Sequence, residues 1–229
     1  MVNRIKGIDG YKEKPMTTND LNTLLDKGSK FLNEGNLVEA LECFDKATEI
    51  SPNDREAWNI KGMILYKQTK FQEAIDCWER ALEIDPSNGN TWGVKGTAHQ
   101  KLCQFQQAIN CFEKAIEIDS GNASLWAYKG TAHFELKQFH EALKCYEKAT
   151  EIDPNNSRSW INKSLILEML SKNQEVLECY DKIIELEPDN AFGWHYKGLA
   201  LSRIGKHSEA KKYLDKAKEL DPKYANYKT

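Results

Sequence analysis

One pattern recurs every 34 residues, in register, from about Leu21 to about Tyr224, and it leaves this chain little freedom in what it can become. Trp58, Trp92, Trp126, Trp160 and Trp194 stand one period apart, with Leu24 in the place of a first member. Four residues on lie Gly28, Gly62, Gly96, Gly130 and Gly198, with Ser164 as the single replacement. Further columns are Ala40, Ala74, Ala108, Ala142, Val176 and Ala210; Phe44, Trp78, Phe112, Tyr146, Tyr180 and Leu214; and Ala47, Ala81, Ala115, Ala149, Ile183 and Ala217. The units close on Pro52, Pro86, Ser120, Pro154, Pro188 and Pro222. A repeat this short cannot bury an apolar face alone, so copies must stack on one another around one continuous core.

Helix physics accounts for the columns. In the unit ending at Pro86, Trp58, Leu65, Ala74, Trp78, Ala81 and Ile84 fall at spacings that gather them on one face of each of two helices. Small Gly62, Ala74 and Ala81 let two antiparallel backbones approach, with Trp58 and Trp78 filling the volume beside them. Asp20, Asp54, Asn88, Asn122, Asn156 and Asn190 stand at N-cap positions of the first helices. Proline two residues earlier stops the preceding helix. Acid-to-base pairs at i, i+4, such as Glu42 with Lys46, Asp76 with Arg80 and Glu178 with Lys182, are expected along the second helices.

Trp, Gly, Ala, a bulky aromatic, Ala and Pro at these offsets resemble the tetratricopeptide repeat, a helix-turn-helix unit of 34 residues. Six units are expected, at 21–54, 55–88, 89–122, 123–156, 157–190 and 191–224, after a polar segment 1–20 and before a short tail 225–229. Where the family often has Leu before the Gly, this chain has Lys27, Lys61, Lys95, Lys129, Lys163 and Lys197. That Trp-x-x-Lys-Gly form is similar to many prokaryotic and archaeal arrays. The resemblance implies an all-α fold, an α-solenoid in which antiparallel helix pairs form a right-handed superhelix with the first helices on its concave side.

Both ends of the array read as sealed. The first unit has Lys30 and Glu34 where later units carry residues such as Ile64, Ala98, Leu102 and Leu136. The sixth has Lys211 and Lys218 where inner units carry Ile75, Leu143, Ile116 and Ile184. An array complete at six units is the expectation, with Met1 to Thr18 mobile or loosely packed. No apolar run approaches the roughly 18 residues of a membrane span, and a net charge of −3 gives no general reason to bind nucleic acid or acidic lipid. With no signal-peptide core, a cytoplasmic location without membrane attachment is expected.

The residues that could carry chemistry fit packing better. Cys43, Cys77, Cys111, Cys145 and Cys179 form a column on the buried side of the second helices, with Cys103 in a turn. Packed helix axes stand about 8–10 Å apart, beyond the roughly 7 Å Cα limit of a disulfide, so small buried hydrophobes are expected. No short-spaced Cys or His pair suits zinc, and no metal or other cofactor is expected. His99 and His133 occupy the family's Tyr position, His140 and His207 sit near turns, and His195 is expected to face the groove. No triad, phosphate loop or carboxylate pair is present, so no enzyme is expected. The lysine column reads as structural, with its ammonium groups near acids at the second-helix ends such as Glu83 and Asp85.

The varied positions are the informative ones. The resemblance places positions 2, 5, 6, 9, 12 and 13 of each unit on the concave face. These include Asn59, Met63, Tyr66, Gly93, Val94, Thr97, Lys101, Ala127, Tyr128, Thr131, Phe134, Arg158, Ile161, Asn162, His195 and Tyr196. Small, uncharged Gly93, Thr97, Ala127 and Thr131 lie between Tyr66, Tyr128, Phe134 and Tyr196, a candidate pocket for a bulky apolar side chain, with Asn59 and Asn162 available to a peptide backbone. Those aromatics could equally complete packing within the array. The family's chaperone-tail clamp is absent, because its places hold Leu25, Ser29, Ile60, Gly93 and Thr97. The expected function is a non-catalytic adaptor that binds a peptide segment of another protein in this groove; the alternative is a structural module that self-associates through its ends or its convex face.

Overall fold

A computed structural model describes residues 18–226, with side chains for 20–224; the expectation for Met1 to Thr18 falls almost wholly outside them. The described residues form twelve α-helices and one 3-10 turn, with no strand. The fold is an all-α helical-repeat solenoid, and its helices divide into two compact units.

The first unit, through Ile84, contains α1 (Thr18–Asn33), α2 (Leu37–Ile50), α3 (Arg55–Lys67) and α4 (Phe71–Ile84). Its core holds Ala40, Phe44, Ala47, Ala57 and Ile64. The second, from Asp85 on, contains α5 (Gly89–Lys101), α6 (Phe105–Ile118), α7 (Ala123–Glu135), α8 (Phe139–Ile152), α9 (Ser157–Met169), α10 (Asn173–Leu186), α11 (Ala191–Arg203), α12 (His207–Leu220) and the 3-10 turn Pro222–Asn226. Its largest cluster gathers Tyr146, Ile166, Leu167, Tyr180, Ile183 and Leu201 from α8 to α11.

Asp54, Asn88, Asn122, Asn156 and Asn190 cap α3, α5, α7, α9 and α11 by accepting from free backbone N–H groups. Asp20 does not cap, because α1 begins at Thr18 and leaves it inside the first turn. The glycine column marks a close approach: a Cβ on Gly62 would stand 2.6 Å from the Trp78 indole, and one on Gly96 2.6 Å from the Phe112 ring. The turn inside each helix pair places Gly35, Thr69, Cys103, Lys137, Ser171 or Gly205 at positive φ. Two expected ion pairs are re-partnered. Arg80 reaches forward to Glu83 at 2.7 Å and Lys182 to Glu185 at 2.9 Å, while Asp76 accepts from Gln72.

The tryptophan column is half-buried, so it does more than fill volume. Each indole Nε1–H donates to a carbonyl six residues earlier: Trp58 to Pro52, Trp92 to Pro86, Trp160 to Pro154 and Trp194 to Pro188, all at 2.9 Å, and Trp126 to Ser120 at 3.1 Å. The next turn of the same helix places the column lysine over the ring, as Lys61 over Trp58 at 5.0 Å and Lys163 over Trp160 at 5.1 Å.

Candidate functional site

That lysine reaches an acid in the middle of the preceding second helix. Lys61 pairs with Asp45 and Lys129 with Glu113, each at 2.8 Å, and Lys197 with Asp181. The expected neighbour Glu83 is instead held by Arg80. Lys61, Lys129 and Lys197 therefore each join two successive repeats. Lys197 is nearly buried and also donates to the Tyr213 hydroxyl at 2.9 Å. Tyr213 stands where the other repeats carry their column cysteine.

The column cysteines are all free and buried, and Cys103 is exposed. Burial raises the Cys77 and Cys145 thiols to about 11 and the Cys179 thiol to about 12, so none of these three is a thiolate at neutral pH. His99 and His133 brace the turns that follow them, each through Nδ1 to the side chain of Gln104 or Gln138, at 2.7 and 2.6 Å. No group of His, Cys, Asp and Glu among the described residues could hold a metal, and no described helix is long and apolar enough to cross a membrane.

The first helices of the second unit, α5, α7, α9 and α11, carry most of the candidate site. Val94 on α5, Tyr128 on α7 and Leu165 on α9 are 42%, 45% and 46% exposed, and Met169 at the end of α9 is 48% exposed. Burying such a side chain completely is worth about 1.5–3 kcal/mol, so covering the open half of each offers about 1 kcal/mol. In the first unit, Met63 on α3 is exposed while Asn59 and Tyr66 are half-buried.

Several expected groove residues are engaged elsewhere. Gly93 is buried, and a Cβ on it would meet Leu125 of α7 at 3.0 Å, which places position 5 of the repeat in the seam between consecutive first helices. His195 occupies the same position in α11 and is 3% exposed, so it does not face a groove. The 3-10 turn supplies its cover: the Tyr224 ring lies 4.4 Å from the imidazole. Ala127 and Ile161 pack half-buried against the core. Tyr66 contacts Phe71 at 5.2 Å and Phe134 contacts Phe139 at 6.1 Å, so both close the turn onto the second helix. Tyr196 stacks on Tyr180 at 6.2 Å as Tyr128 does on Phe112 at 5.9 Å, but only Tyr128 stays open. Asn162 is half-buried; Lys101 and Arg158 are exposed.

Hydroxyls from the second helices reach this face from below. Thr131 bonds the Tyr146 hydroxyl at 3.0 Å and the carbonyl of Ala127 at 3.1 Å, whereas Thr97 donates to the carbonyl of Val94 at 2.7 Å. One repeat on, the Tyr180 hydroxyl donates to Glu168 Oε1 at 3.0 Å and also meets Ser164, the residue that replaces glycine. The same Glu168 oxygen accepts from Arg203 Nη1 at 2.9 Å. Burial, with Glu168 adding to it, pushes the Tyr180 phenol up, so it stays a donor. Glu168 and Arg203 stand on different first helices, α9 and α11, and the structure joins them. The sequence columns present Tyr146 and Tyr180 only as packing residues. The signal was the hydroxyl gained in that column opposite Thr131 and Ser164.

Models of the tetratricopeptide repeat match residues 21–54, 56–88, 89–122 and 123–156, and again 145–178 and 179–212. No curated protein matches the sequence. Among solved structures, YrrB, described as a TPR protein with an unusual peptide-binding site, is 24% identical, with a TM-score of 0.69 over 80% of this chain and 94% of its own. MamA from Desulfovibrio magneticus RS-1 is 19% identical, with a TM-score of 0.71 over 76% of this chain and 98% of its own. PilF of Pseudomonas aeruginosa is 17% identical, with a TM-score of 0.69 over 89% of this chain and 93% of its own. At these identities the likeness is one of fold.

Proposed function

This chain belongs to the tetratricopeptide repeat family, and from that premise we propose that it is a non-catalytic scaffold holding a peptide segment of another protein on the first-helix face of α5, α7, α9 and α11. The observation that carries this is the run of open apolar side chains, Val94, Tyr128 and Leu165, on three successive first helices whose other faces are buried. Isolated exposed apolar residues are ordinary on a protein surface; a row on equivalent elements is a surface that gains by being covered. The peptide-binding site ascribed to YrrB supports the same reading.

The test is capture of a partner from native extract, followed by affinity measurement with that purified partner. Val94→Lys and Leu165→Lys together put two charges into the row at exposed positions and spare the Tyr128 ring that stacks on Phe112. A loss of at least tenfold in affinity is expected, and unchanged affinity sinks the reading. Self-association through the ends is less well supported, because exposed Lys30 on α1 and exposed Lys211 and Lys218 on α12 stand in columns that pack between inner repeats. Light scattering across a concentration range, with a constant monomer mass expected, decides that point.

A further inference from the structure

Resting on that reading, we infer that Arg203 is an anchor for an acidic side chain within the bound segment, set beside a shelf for its neighbouring apolar residue. Arg203 is 51% exposed, and one edge of its guanidinium is held by Glu168. Glu168 is only 18% exposed and is itself held by the buried Tyr180 hydroxyl. The guanidinium carries five N–H donors in a rigid fork, so the bond through Nη1 fixes its orientation and leaves other donors facing solvent. An arginine restrained in this way loses less side-chain entropy on meeting a carboxylate than a free one does.

The shelf comes from the same helix as the carboxylate that holds the arginine. Leu165, Glu168 and Met169 are spaced i, i+3, i+4, so they share one face of α9. Leu165 and Met169 are among the most exposed large apolar side chains of the chain. A cation with a free edge beside open apolar surface suits an Asp or Glu within a few residues of a Leu, Ile, Met or aromatic side chain. Tyr180 and Glu168 act as positioning residues; Arg203 makes the contact.

Selection of random dodecapeptides displayed at the N-terminus of a phage coat protein tests this on the whole chain, since such peptides present carboxylates only from Asp and Glu. The wild-type chain should enrich sequences that pair a bulky apolar residue with an acid one to four positions away. Arg203→Met should keep the apolar residue and lose the acid preference, and synthetic winners should bind that variant at least tenfold more weakly. Wild-type winners without an acid, or acid-bearing winners that bind Arg203→Met equally well, overturn the inference and leave the groove reading standing. Winners indifferent to Tyr128→Lys and Leu165→Lys, or no winners at all, overturn both.

Discussion

The indole Nε1–H of Trp126 donates to the carbonyl oxygen of Ser120 at 3.1 Å, across the one repeat boundary that lacks proline. The four other tryptophans make the same bond to a proline carbonyl. The boundary is therefore tied by a backbone acceptor that any residue supplies, and the pyrrolidine ring only restricts the unfolded chain. Asp119 already has the φ of −133° and ψ of 87° that Asp153 shows before Pro154, at −124° and 86°. Ser120→Pro should stabilise by about 0.4–1 kcal/mol, and Trp126→Phe, which keeps an aromatic face for Lys129, should cost about 0.5–1.5 kcal/mol through the lost bond. Urea unfolding midpoints check both.

Glycine substitutions should grade with the space beneath them. An Ala Cβ at Gly96 would meet Phe112 at 2.6 Å, against 3.1 Å to Tyr146 at Gly130. Gly96→Ala is expected to cost about 1–3 kcal/mol and Gly130→Ala clearly less. Equal losses in calorimetry would show that backbone freedom, not the close approach, sets the requirement.

The inner turns store removable strain. Thr69, at φ 62°, stands in the column that holds Gly35 and Gly205. The left-handed region costs an L-residue roughly 1–2 kcal/mol, and the extra chain entropy of glycine takes back about 0.5–1 kcal/mol. Thr69→Gly should therefore stabilise by about 0.5 kcal/mol, read as a higher denaturation midpoint. The β-branched residue makes it the best of the four such sites.

Burial holds the His195 imidazole below its ordinary value of 6.5. The unfolded chain thus binds a proton that the folded chain refuses, so this residue's contribution is complete above pH 6.5 and falls as the pH drops below it. His195→Phe, which keeps a ring against Tyr224, should show a smaller loss of stability between pH 7.5 and 5.5 than the wild-type chain. An unchanged difference would mean that Tyr224 does not keep the imidazole dry.

Much of the fold was legible in the columns because each repeat meets the same neighbours. Asn88 caps a helix for a local reason, and Ala108 and Phe112 are buried for a periodic one. The candidate site was legible only by face. Val94, Tyr128 and Leu165 are open, yet Gly93, next to Val94 on α5, and His195, on α11, are covered by Leu125 and Tyr224. The lysine column was read correctly as structural, but its partners were not: Asp45 and Glu113 lie 16 residues upstream of Lys61 and Lys129, on another helix.

By itself, the sequence determined the repeat, its helix pairs, their caps and the columns that must be small or aromatic. All of these follow from hydrogen bonding and side-chain spacing along a single helix. The tertiary structure decided which residues of the first-helix face stay open, and it put Glu168 between Tyr180 and Arg203. Helical phase states the direction in which a side chain leaves its axis. What stands opposite depends on chain that folds back from another repeat, and no spacing within one helix contains that information.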